Sequence, residues 1–320
     1  MEFLQSVLAS LPGACAQGLI WGLMAIGLYI TYKVLDIADL TVDGTMATGG
    51  AVCVVLITNG VPTWLALLAA MAAGMLAGLI TGLFHTQMGI PAILAGILTQ
   101  LGLYSVNLRI LGFGTAAGTA ANKGVSVDKY NLLVSMRYLN DPDTPFWRYP
   151  IFVIVLFALA LIVLLYWFFG TELGCGIRAT GANRAMSRAQ GINTKYNTVL
   201  GLMLSNGIVA LASALYAQYQ GFADVNAGRG AIVIGLAAVI IGEVIFGRIF
   251  RNFALQLLSA VIGAILYFVV IQFVLKLGLD SNDLKLLTAL IVALFLAVPY
   301  WKSRFLSRHA VKGGADRAAS

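Results

Sequence analysis

The stretch "LDIADLTVDGTMATGG", Leu35 to Gly50, sets three carboxylates, Asp36, Asp39 and Asp43, beside two hydroxyls, Thr41 and Thr45, at the mouth of an apolar run. Ionisable groups in or beside a membrane segment are expensive to keep there and mark substrate or ion paths by default. Two readings stand side by side: a polar lining for a translocation path, or a solvated cytoplasmic turn. Asn206, with Ser205 beside it in a later apolar run, is placed to hydrogen-bond either a solute or a neighbouring helix. Glu243 either lines an inner gate or pairs locally, with Arg248 as the nearest candidate. Asn107 and Arg109 near the outer end of one run, and Arg229 in a glycine-rich outer segment, are candidates for contact with an external protein. His85 and His309 are isolated, so neither a metal site nor a catalytic triad is expected, and the chain is not read as an enzyme.

A second polar cluster, "GTELGCGIRATGANRAMSRAQGINTKYN" at 170–197, interrupts two apolar runs. Asn183 is a good N-cap, and Gly191 stands where a left-handed residue would end a helix. Between them, Arg184 to Gln190 makes about two turns. Arg184 and Arg188 share a face, with Ala185 and Ala189 as a small apolar strip beside it. So short a helix is marginal in water, which implies a docking partner. Upstream, Gly170, Gly174, Gly176 and Gly181 read as a tight lead-in, with Arg178 and Thr180 between the last two. An ordinary positive loop accounts for the arginines and leaves the caps unexplained.

The elements that position these groups follow from composition. Of 320 residues, 60% are hydrophobic and 10% charged, with a mean hydropathy of +0.91; soluble domains carry about 25% charged residues. Apolar runs of about 20 residues recur, each long enough to cross a bilayer. They are continuously apolar, which excludes the alternation of a β-barrel. The fold class is therefore an all-α polytopic membrane protein. The net charge of +7 is assigned to cytoplasmic loops and not to nucleic acid. Met1 to Ser10 lacks a basic region, so no cleavable signal peptide is expected. Cys15, Cys53 and Cys175 are read as small packing residues.

Spans are predicted at 13–33, 44–60, 62–84, 90–112, 149–169, 196–218, 230–247, 252–275 and 284–300, about nine within a range of eight to ten. They form a permease domain, 1–300, followed by a basic tail, 301–320. The basic residues put the tail, the Arg248–Arg251 turn and the 170–197 loop in the cytoplasm, and the N-terminus and the 113–148 loop outside. Leu35–Gly50 and "GFADVNAGRGAIVIG", Gly221–Gly235, break the pattern as half-helices or re-entrant turns would. Their expected places on opposite faces would suit an inverted repeat. Gly74 and Gly78 form a GxxxG step that serves either internal packing or a subunit interface.

"GTELGCGIRATGANRAMSRAQGIN" resembles the cytoplasmic coupling loop of bacterial ABC importer permeases of the branched-chain amino acid and ribose type. The resemblance runs through Thr171, Gly174, Arg178, Ala179, Gly181, Asn183, Ser187, Gly191 and Ile192. "GLYITYKVLDIADLTVDGTMATGGAV", "GLFHTQMGIPAILAGILTQLGLYSVNLRILG" and "GLAAVIIGEVIFG" are similar to the tryptophan/tyrosine-type uptake permeases of that superfamily, and the similarity runs from about Gly18 to Phe250.

The resemblance implies one subunit of an importer in the bacterial cytoplasmic membrane. A second permease copy would complete a homodimer, separate ATP-binding cassette subunits would carry ATP and Mg, and an external binding protein, expected as a lipoprotein, would deliver the solute. The permease itself would bind no cofactor, in keeping with the lack of a phosphate loop. It further implies that Arg178, Thr180, Gly181, Asn183, Arg184, Met186, Ser187, Arg188 and Gly191 couple to the ATPase, and that the solute is a small organic molecule of the amino-acid kind, tryptophan or tyrosine. The rival is a secondary transporter driven by an ion gradient, which requires paired acids or broken helices near the bilayer midplane.

Overall fold

Prolines and glycines set the helix ends. Pro62 and Pro91 stand immediately before two helices and Pro150 opens a third, positions where the missing N–H is harmless. In the computed structural model, which describes residues 2–140, 145–247, 249–250, 252–276, 286, 288–290, 292–294 and 297, the helices follow in order. They are α1 (Glu2–Tyr29, continued by a π-helical turn, Ile30–Val34), α2 (Thr41–Thr58), α3 (Thr63–Thr86), α4 (Ala92–Leu111), α5 (Arg137–Asn140), α6 (Pro150–Phe168), α7 (Glu172–Ala182), α8 (Arg184–Ala189), α9 (Thr194–Gln220), α10 (Ala231–Phe246) and α11 (Phe253–Lys276). A short 3-10 helix (Phe146–Arg148) and two short strands, β1 (Asn122–Gly124) and β2 (Phe222–Asp224), complete the described elements.

Among the described residues, seven helices are long and apolar enough to cross a membrane: Ser10–Val34, α2, α3, α4, α6, α9 and α11. The expected span at 230–247 is instead the shorter α10, of 16 residues. The expected ninth span, 284–300, falls mostly outside the described residues, as do Arg248, Arg251 and the 301–320 tail.

The core is organised around α9, whose 27 residues reach about 40 Å. Along α3, Gly74, Gly78 and Gly82 lie one turn apart, and a Cβ on any of them would press into α9 at Asn206, Leu202 and Val199 respectively. The GxxxG step is therefore internal packing between α3 and α9, and close backbone approach is its physical reason. These contacts descend along α9 as α3 advances, so the two helices are antiparallel. Contacts from α2 ascend instead, from Thr45 at Asn206 to Gly50 at Ser213 and Cys53 at Gln218. Thus α2 runs parallel to α9. Cys53 is buried as expected, Cys15 is half-buried, and Cys175 is exposed, its thiol reaching the Phe169 carbonyl at 3.8 Å.

The described residues of the 113–148 loop fold over one end of this bundle. There β1 pairs antiparallel with β2, Asn122 opposite Asp224 and Gly124 opposite Phe222. Tyr130 donates its hydroxyl hydrogen to the Thr58 carbonyl at 3.1 Å, and the Leu133 N–H donates to Gln218 Oε1 at 3.1 Å. This two-stranded patch departs from an all-helical expectation. It puts 113–148 and the segment after α9 at the same end, opposite α7 and α8.

Candidate functional site

The Leu35–Leu40 segment leaves the helical path, and the backbone groups it frees need partners at depth. Asp39 supplies one. It is 2% exposed; its Oδ1 accepts from the Thr41 N–H at 2.9 Å and its Oδ2 from Asn206 Nδ2 at 2.7 Å. Asn206, fully buried, also donates to the Leu202 carbonyl at 3.0 Å and accepts from Thr45 Oγ1 at 2.7 Å. The Thr41 and Thr81 hydroxyls are 2.7 Å apart, and Thr81 donates to Thr99 Oγ1 at 2.8 Å. One polar chain thus ties α2, α3, α4 and α9 together.

Asn206 is twelve residues from Thr194 and fourteen from Gln220, about 18 and 21 Å from the two ends of α9. Asp39, Thr41 and Thr45 therefore sit at mid-height in the bundle. The solvated-turn reading is corrected for them. They lie at the end of a helix in sequence but at its middle depth in space, because α2 begins inside the bundle. Asp36 alone is exposed, at φ 54°, a backbone region uncommon for residues other than glycine.

Asp43 joins the second irregular segment to the first. Its Oδ2 accepts from the Gly230 N–H at 3.1 Å and its Oδ1 from the Ile232 N–H at 2.9 Å. A carboxylate there caps the positive start of α10. Gly228 abuts the Asp43 carbonyl so closely that no side chain fits between them. The two irregular segments, expected on opposite faces, meet in the interior, and α2 and α10 start head to head.

Beside this junction lies a cavity of about 340 Å³, lined by Asp43, Gly44, Gln100, Tyr104, Asn107 and Arg229 among others. Asn107 is fully buried and donates to the Gly44 carbonyl at 3.4 Å. It is thus a wall of this cavity and not a surface contact, since the face of α4 that carries it packs on α2. Arg229, which is exposed, lines this cavity and a second one next to Trp21 and Phe268. Arg109 remains exposed, as a docking residue would be.

At the other end, Asn183 Oδ1 accepts from the Met186 N–H at 3.0 Å and Gly191 takes φ 83°. The expected cap and stop of α8 are both present. The glycine-rich lead-in is itself a helix, α7, whose start is capped by Thr171. Its glycines serve close packing: Gly181 abuts the Val34 carbonyl, with no room for a Cβ. Thr180 is buried between Gly176 and Asn197, and Arg178 lies over the Phe253 ring at 5.5 Å. Thr180 and Gly181 thus pack against the bundle, while Arg178 stays exposed. Ser187 Oγ lies 2.8 Å from the Ala179 carbonyl and 2.9 Å from that of Asn183. Arg188 donates to Thr194 Oγ1 at 3.0 Å, and Arg184 lines a cleft with Asp36, His85 and Asn183. Arg188 stays exposed despite that bond, and Arg184 is half-buried. The exposed residues of α8 are Arg188, Met186, which is 60% exposed, Ala185 and Ala189.

Glu243 pairs with Lys33, Nζ to Oε1 2.6 Å, both side chains nearly half exposed. The pair closes across a cavity of about 330 Å³ that Tyr29, Arg178 and Gln256 also line. The anticipated partner, Arg248, lies outside the described residues. Sequence reasoning passed over Lys33, Thr81, Thr99 and Gln100. The available signal was that each is a polar residue inside an apolar run.

Comparison with known proteins adds four findings. Residues 11–299 match the family described as branched-chain amino acid transport system, permease component. The chain is 36% identical to a tyrosine transport system permease protein of Clostridioides difficile over 282 residues, 88% of each chain. It is 25% identical over 267 residues to the ribose import permease protein RbsC of Escherichia coli, covering 83% of this chain and 74% of that one. Among solved structures, an ABC transporter of metal-chelate type, in an inward-facing conformation, shares the fold with a TM-score of 0.50 and 16% identity, over 92% of this chain and 85% of that one.

Proposed function

We infer the function from one premise: the chain belongs to the branched-chain amino acid transport system permease component family. It is the multi-pass permease component of an ABC import system, and such permeases work with ATPase and substrate-binding partners. The finer assignments are ours. The solute is an amino acid of the tyrosine or tryptophan kind, and the likeness to the tyrosine permease supports this. ATP and Mg are held by two separate ATPase subunits, and an external lipoprotein delivers the solute at the end covered by 113–148. A second copy of this chain completes a homodimer in the bacterial cytoplasmic membrane.

The ATPase docks on α8. The observation that supports this is the capped six-residue helix whose exposed side chains are the apolar Met186, Ala185 and Ala189 with the cationic Arg188 beside them. Ser187 ties α8 to α7, and Gly181 seats α7 on Val34, at the end of α1. Displacement of α8 would therefore be felt by the 35–40 segment and, through Asp39 and Asp43, by the start of α10. Packed elements transmit such shifts because they deform little.

The buried Asp39 and the half-buried Asp43 are already committed to internal hydrogen bonds, Asp39 to Thr41 and Asn206 and Asp43 to the start of α10. No observation favours the ion-gradient alternative. The test is uptake of labelled tyrosine into proteoliposomes. It should require ATP, the ATPase and the binding protein together. Uptake by this chain alone, driven by a proton or sodium gradient, overturns the reading.

A further inference from the structure

We propose that the cavity between α2, α4 and the start of α10 is a transit site for the charged end of an α-amino acid, with Arg229 taking its carboxylate and Asn107 Oδ1 its ammonium group. This rests on the reading of the chain as an amino-acid importer and adds the place where the permease itself holds the solute.

Two observations point to a ligand. Asn107 is fully buried, its Nδ2 is used on the Gly44 carbonyl, and its Oδ1 has no hydrogen-bond partner. An unpaired buried acceptor is costly, about 1–3 kcal/mol, unless something arrives to donate to it. Arg229, on the same cavity, makes no ion pair among the described residues. One wall thus offers a bare acceptor and another a bare cation, with the Asp43 carboxylate close by.

Asp43 spends one lone pair of each oxygen on the start of α10 and keeps acceptor capacity, since a carboxylate has about four such sites. A zwitterion matches this array with no net charge to bury, whereas a simple cation or anion would leave one wall unanswered. The cavity, about 340 Å³, is of ligand size. Leu101, Tyr104, Ala47 and Val225 give an apolar and aromatic surround for a side chain. Nothing in it reads one side chain closely, which suits a permease whose solute is selected by another protein.

The permease–ATPase complex, without binding protein, is placed in phosphatidylglycerol nanodiscs and binding of labelled tyrosine is followed by equilibrium dialysis. Competition uses tyramine, which lacks the carboxylate, and 3-(4-hydroxyphenyl)propionate, which lacks the ammonium group. Each should compete about tenfold or more weakly than tyrosine, as loss of one charged hydrogen bond implies. Arg229→Gln should weaken tyrosine to a similar degree and leave tyramine unchanged, while Asn107→Leu should spare the propionate. Arg229→Lys should recover most of the affinity.

Tyrosine binding absent at millimolar concentration overturns the site, as does equal loss for tyrosine and tyramine in Arg229→Gln. Loss of tyrosine binding when phosphatidylethanolamine is added assigns the cavity to a zwitterionic lipid headgroup and also overturns it. Proteoliposome uptake by the wild-type system is run alongside. Uptake that needs ATP and partners, combined with flat competition, sinks the site alone; uptake that fails to need them sinks the functional reading.

Discussion

Asn206→Leu should be among the most damaging single substitutions in this chain. The side chain donates to Asp39 Oδ2 and the Leu202 carbonyl and accepts from Thr45. Neutral hydrogen bonds between membrane helices average about 0.6 kcal/mol, so Thr45 is a small part of the loss. The larger part is Asp39, 2% exposed, left with the Thr41 N–H alone; removing one partner of a buried charge costs about 3–5 kcal/mol. A total near 4 kcal/mol corresponds to a fall of about 10 °C in melting temperature, using about 2–4 °C per kcal/mol for a chain of this order of size.

Thermal unfolding in detergent, followed by tryptophan fluorescence, reads this directly. A cycle with Asp39→Asn isolates the cause. If the charge is what suffers, Asp39→Asn in the Asn206→Leu background should restore about 2 kcal/mol, since it replaces a stranded carboxylate with a neutral amide. Strictly additive losses would show that Asp39 is already neutral and that the charge argument is mistaken. A fall under about 2 °C for Asn206→Leu would refute the network as a stability element altogether.

Further outcomes follow from other contacts. Met186→Asp, paired with Ala185→Asp on the same outward face, should abolish co-purification of the ATPase while the melting temperature of the isolated permease holds. Arg184→Glu with Arg188→Glu should weaken co-purification less, because Arg188 is tied to Thr194. Gly78→Val must force α3 away from the Leu202 carbonyl. A clash with backbone cannot be relieved by a rotamer change, so it should exceed the usual overpacking cost of about 1–3 kcal/mol and show as lost expression or a large drop in melting temperature. Glu243→Gln removes a half-exposed pair with Lys33 and should change stability by under about 1 kcal/mol. A loss larger than that would assign the Lys33–Glu243 pair a structural role in closing the inner cavity.

Much of this protein is local and was therefore legible in order along the chain. Apolar runs long enough to span a bilayer mark α1–α4, α6, α9 and α11, because the membrane demands length and composition residue by residue. Asn183 and Gly191 mark both ends of α8, since a cap and a left-handed stop act within one turn of their own backbone. Tertiary structure alone decided the rest. Depth was invisible: Asp39 and Asp43 stand at a helix start in sequence, yet the 35–40 segment carries that start to the middle of the bundle. There Asn206, 167 residues from Asp39, and the Gly230 N–H, 187 residues from Asp43, become their partners.

Facing was invisible as well. The spacing of Arg184 and Arg188 states that they share a side of α8. It does not state what each meets: Arg184 is half-buried in the cleft with Asp36, while Arg188, bonded to Thr194, stays exposed as Met186 does. The same holds for Asn107, whose place in the sequence near an outer end gave no hint that α2 would bury it. Spacing along a chain determines which groups lie on one face of one helix; only the packing of helices against one another decides what that face meets, because burial is a property of pairs of surfaces and not of either one.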